Sequence, residues 1–85
     1  MKNGNDYAIE VVDKEGKFVS QIDIAESFEE AEDWLKYFVK EKIAKQDEHY
    51  RIVEIQYEEE DKYGDKKEID ICVMAEYNKF GKKIC

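Results

Sequence analysis

Chemistry in this 85-residue chain would rest on very few side chains: one histidine (His49), two cysteines (Cys72 and Cys85) and two serines (Ser20 and Ser27). A nucleophilic Ser/His/Asp arrangement lacks parts, because Ser27 is committed to capping a helix and His49 lies in a polar connection. Zinc asks for three or four Cys/His ligands at local spacing, and the three such residues here are far apart in sequence. Gly4, Gly16, Gly64 and Gly81 are isolated turn glycines and make no phosphate cradle. The run Asp61-Lys62-Tyr63-Gly64-Asp65 has the look of a calcium loop but lacks the alternating acidic ligands and the closing glutamate. No enzyme, metal or cofactor is expected from these residues.

Carboxylates are the one abundant functional group. Asp and Glu total 22 against 14 Lys and Arg, a formal net charge of −8. Phosphate binding needs a basic footprint, so direct nucleic-acid binding and attachment to an anionic membrane are both disfavoured. Such a field attracts and steers a basic protein surface.

The elements that would position these carboxylates follow from pattern. Residues 27–44 read as a helix: Ser27 followed by Glu30 makes a capping box. Glu29, Glu30, Glu32 and Asp33 precede Lys36, Lys40 and Lys42, an order that opposes the macrodipole. Phe28, Ala31, Trp34, Leu35, Phe38 and Val39 form an apolar stripe with Ile43 at its border, and Tyr37 points away. Lys42 interrupts the stripe, which implies fraying there or a snorkelling side chain.

Asp6–Val12 alternates as a strand, with Tyr7, Ile9 and Val11 on its more apolar face. Asp13-Lys14-Glu15-Gly16 is a hairpin turn, and residues 17–24 return with Phe18, Ile22 and Ile24 toward the core. After the helix, residues 50–60 read as a strand, residues 61–65 as a second turn, and Glu68–Tyr77 as a strand with Ile69, Ile71, Val73, Ala75 and Tyr77 facing one way. Phe80 and Ile84 of the basic tail are expected to tuck against the core. The expectation is one α+β domain over residues 1–85: ββαββ, a four-stranded antiparallel sheet with one helix on one face.

One helix covers one face, so the other is the informative one. With Val53, Ile55 and Tyr57 inward, parity sends Ile52, Glu54, Gln56, Glu58 and Glu60 outward, joined by Glu68, Asp70, Cys72, Met74 and Glu76 from the next strand and by Glu10. Carboxylates two apart on a strand are separated by about 6.7 Å, close to the spacing of successive phosphates in an extended nucleic-acid strand. The expected partner-binding set is Glu54, Glu58, Glu60, Glu68, Asp70 and Glu76 with apolar Met74 and Ile52. A solvated, aggregation-blocking surface is the competing explanation of the acidic run. A one-residue slip would exchange the two faces.

Small size and strong negative charge on such a frame resemble the anti-defence inhibitors of phages and mobile elements, anti-CRISPR proteins among them. The resemblance implies inhibition of a nuclease, or of a nuclease–guide complex, by competition for its nucleic-acid site. The alternative is a structural or regulatory homodimer that uses the open face for itself, with Val12, Val19, Ile52, Cys72 and Met74 in the seam. With no apolar signal region or spanning run, the expected compartment is the cytoplasm, with both thiols reduced and a Cys72–Cys85 disulfide the less favoured state.

Overall fold

The computed structural model describes residues 6–57 and 68–84. Five elements follow in order: β1 (Asp6–Val12), β2 (Phe18–Ala25), α1 (Phe28–Lys40), β3 (His49–Tyr57) and β4 (Glu68–Tyr77). All neighbouring strands are antiparallel, in the order β2-β1-β3-β4, so β2 and β4 are the edges. The ββαββ expectation holds. Glu58, Glu60, the second turn and Cys85 lie outside the described residues.

The first turn works through Asp13. Its carboxylate accepts from the N–H groups of Glu15 and Lys17, both at 2.9 Å, while Gly16 takes φ 83° and donates to the Asp13 carbonyl. The backbone N–H bond to Lys17 is the main reason the Asp13 carboxyl sits below its ordinary pKa. The same device recurs after β4. Asn78 Oδ1 accepts from Phe80 and Lys82, Gly81 takes φ 86°, and Lys83 bridges back to Tyr77. Any Cβ at Gly81 would stand 3.3 Å from Val39, so the close approach of tail to helix also calls for glycine there.

Ser27 caps α1 as its sequence implies, its Oγ accepting from the Glu30 N–H at 3.1 Å. The helix stops at Lys40, four residues before the expected end. Lys42 takes φ 57°, and the N–H groups of Lys42 and Ile43 bond to the carbonyls of Val39 and Phe38. This is a left-handed helix terminus with lysine where glycine is usual, and it resolves Lys42: the helix has ended before it.

Ala31 and Leu35 of the stripe are buried, with Phe28, Phe38 and Val39 packed partly against the core. Trp34, expected inside, is 43% exposed, stacked on Phe38 and edge-on to Tyr37. Tyr37 points outward as expected.

The core lies between α1 and the face carrying Ile9 and Val11 of β1, Tyr50 and Ile52 of β3, and Ala75 and Tyr77 of β4. This corrects the parity of β3: Ile52 is fully buried on the helix side, and Val53 and Ile55 belong with Ala8 in a separate cluster. The reason is Tyr50. Its hydroxyl, inside the protein, accepts from the Ala44 N–H at 2.8 Å and donates to the Phe38 carbonyl at 3.2 Å, tying the end of α1 to the start of β3. With Tyr50 inward, Ile52 follows at period two.

Three further expectations are corrected. The β3–β4 register breaks between Ile52 and Val53, pairing Ile52 with Ala75 but Val53 with Val73, so Val73 lies with Val53 while Ala75 lies in the helix-side core. Phe18 and Ile24, expected in the core, pair with Val12 and Ala8 and stand exposed on the other face. Phe80 and Ile84 do not tuck in, and Phe80 is 76% exposed.

Candidate interaction surfaces

The acidic ladder and the face without a helix are different places. Glu54 pairs with Tyr7 across the β1–β3 ladder and accepts from the Tyr7 hydroxyl at 2.8 Å and from Gln56 Nε2 at 2.9 Å. Tyr7 in turn meets the Phe28 ring edge-on, which puts Glu54 on the helix side, beside the start of α1. The hydrogen bond to this carboxylate, followed by burial, raises the pKa of Tyr7.

Asp70 lies opposite Gln56 and Glu68 opposite Tyr57 in the ladder, beyond the last residue pair that β1 makes with β3 (Asp6 with Ile55). These positions extend the ribbon past the helix-covered part of the sheet. Of the expected partner-binding set, Glu54, Glu68 and Asp70 therefore gather at one end of the molecule. Met74 is exposed at the register break, Ile52 is sealed in the core, and Glu76 lies elsewhere, near His49 with 3.8 Å between Oε1 and Nε2.

Among the described residues, that end has a consistent sign. In stretches 6–9, 22–30, 53–57 and 68–75, every charged residue is acidic, and Glu26, Glu29 and Glu30 at the helix start add to Glu54. The other end of the described chain is mixed: Lys14 and Lys17 in the first turn stand with Asp13 and Glu15, Lys40 and Lys42 at the helix end with Glu41, and Lys82 and Lys83 lie in the tail. Sequence reasoning found the carboxylates but missed this grouping, which appears once β1, β2, α1, β3 and β4 are followed end to end.

The face away from the helix is mostly apolar. Ala8, Val53 and Ile55 form its buried floor, flanked by Ile24 on β2, 46% exposed, and Val73 on β4, 54% exposed. Val12, fully buried, and exposed Phe18 continue it beyond a polar rung. In that rung Glu10 pairs with Arg51 and Arg51 with Glu76. Arg51 Nε reaches Glu10 Oε1 at 2.7 Å and its Nη1 donates to the Gly16 carbonyl at 3.3 Å. Of the carboxylates expected here, Glu10 and Glu76 are on this face, flanking the chain's one arginine, whereas Glu54 lies on the opposite parity.

Among the described residues, no three His, Cys, Asp or Glu side chains lie close enough to hold a metal ion, and no helix is long and apolar enough to cross a membrane. Cys72 is a half-buried thiol opposite Glu54 in the β3–β4 ladder. The fold and these surfaces define a small α+β protein with a charged end and an apolar sheet face. No protein-family model, curated protein or solved structure matches the chain.

Proposed function

We propose that this protein is a non-enzymatic binding module of the cytoplasm whose acidic end occupies a basic surface on another protein, of the kind that otherwise holds nucleic acid. The observation that carries this reading is the grouping of acidic charge. Among the described residues, those around the helix start and in stretches 53–57 and 68–75 of the β3–β4 ribbon that carry charge are acidic, and a concentrated field of one sign raises encounter rates with an opposite surface. The carboxylates would displace phosphates from the partner's groove, inhibiting a nuclease or a nuclease–guide complex by occlusion, as the resemblance to anti-defence inhibitors implies.

Affinity capture from a cell lysate at low and high salt tests this. The expected result is recovery of basic, nucleic-acid-binding proteins, released by added duplex DNA and lost when Glu26→Gln, Glu54→Gln and Asp70→Asn are combined. Capture that is indifferent to DNA and survives the combined substitution would rule out occlusion.

A further inference from the structure

We propose that the Asp23 carboxylate closes the outer edge of β2 against the addition of a further strand. β2 is one edge of the sheet, and no described strand lies beyond it. Asp23 Oδ1 accepts from the Ile24 N–H at 2.8 Å. That N–H faces away from β1, as the alternation of ladder bonds across the sheet requires. On β4 the Glu76 carbonyl accepts from the Ile84 N–H of the tail at 2.8 Å, so Glu76 is turned outward and its neighbours Ala75 and Tyr77 bond to Ile52 and Tyr50. Consecutive residues of β3 alternate in the same way, which turns Arg51 and Val53 toward β1 and pairs Val53 with Ala8. Ala8 thus spends its backbone groups on β3, and its partner on the other side, Ile24, turns its own outward.

Outward N–H and C=O groups on an edge strand are a template for pairing with another chain. Asp23 is the only charged residue in Phe18–Ala25, which has neither proline nor glycine, and Phe18, Val19 and Ile24 stand exposed there. Without Asp23 the strand would have the makeup of segments that stack edge to edge. The register with β1 passes over Ile22 and Val19; these two bulges twist the edge but leave the Ile24 donor facing out. One short side chain both occupies that donor and sets a negative charge beside it. An incoming strand would lose a bond and bury a carboxylate. The inference stands on the β2 edge and is independent of the proposed occlusion by the acidic end.

Sedimentation velocity and thioflavin fluorescence of the full chain and its variants, at matched concentration, test it. Asp23→Ala is expected to raise the self-association constant at least about tenfold over the unsubstituted chain and to bind thioflavin, with the circular dichroism of the dilute chain unchanged. Adding Ile24→Pro deletes the outward donor at a position where the β1 ladder loses no bond, and should return association to the level of the unsubstituted chain. Asp33→Asn, the same loss of one negative charge but on the exposed surface of α1, should leave association at that level. Amide exchange in the unsubstituted chain gives a reading that does not depend on how any variant folds: the Ile24 N–H should exchange at least about tenfold slower than a free amide. An unprotected Ile24 overturns the proposal. So does an unsubstituted chain that already binds thioflavin, an Asp23→Ala chain that sediments like it, association brought on equally by Asp33→Asn, or association that survives the proline.

Discussion

Replacing Tyr50 with phenylalanine tests the contact that decides which sheet face is hidden. The ring is fully buried, and Tyr50→Phe keeps its volume, so no cavity opens. What is lost is one oxygen with two partners: the Ala44 N–H at 2.8 Å and the Phe38 carbonyl at 3.2 Å. The carbonyl keeps the Ile43 N–H at 3.2 Å, so its loss is small. The Ala44 donor, in a residue only 8% exposed, is left without an acceptor. An orphaned buried donor costs about 1–3 kcal/mol. In a domain of this size about 2 kcal/mol lowers Tm by roughly 8–16 °C. Urea and thermal unfolding followed by circular dichroism measure the loss, and amide exchange at Ala44 localises it. A loss below about 0.5 kcal/mol with Ala44 still protected would refute the assignment of Tyr50 as the anchor between helix end and sheet.

Two other predictions follow from groups with partners. Arg51→Met leaves Glu10 as an unpaired carboxylate in a largely buried place and should destabilise by about 3 kcal/mol, while adding Glu10→Leu should restore most of that, because a well-packed apolar pair often replaces a buried ion pair at little cost; urea midpoints of the two variants give the comparison. Tyr77 is pushed up to about 12, first by burial and then by its hydroxyl bond to Glu32. The folded state thus holds this proton more tightly than the unfolded chain. Its contribution, of order 1–3 kcal/mol, is fully present below pH 10 and is lost as pH rises from about 10 to 12; Tyr77→Phe should flatten that alkaline limb in stability measured against pH.

The sequence made the helix start, both hairpin partners of the sheet and the β1 parity legible, because in each a local signal agrees with the burial pattern. Ser27 with Glu30 is a cap whether or not the rest of the chain is present, and Tyr7, Ile9 and Val11 are the more apolar set on β1. In β3 the alternation is ambiguous: Tyr50 and Ile52 compete with Val53 and Ile55, and either set could fill a core. The choice is made by a contact at long sequence range, the Tyr50 hydroxyl at the helix end, which no periodicity reveals. In β4 the register break divides an apolar set that looks uniform in the one-letter code. The candidate surface inherits these two facts. Its carboxylates were visible, whereas their grouping at one end and the apolar character of the open face depend on parity.

The proposed contact of the acidic end acts through a field screened over about 8 Å at physiological ionic strength and about 3 Å at 1 M, so its attraction to a basic partner is expected to fade as salt rises. Capture followed through a salt series measures this, and binding that stays constant from low salt to about 1 M would refute an electrostatic basis for the contact.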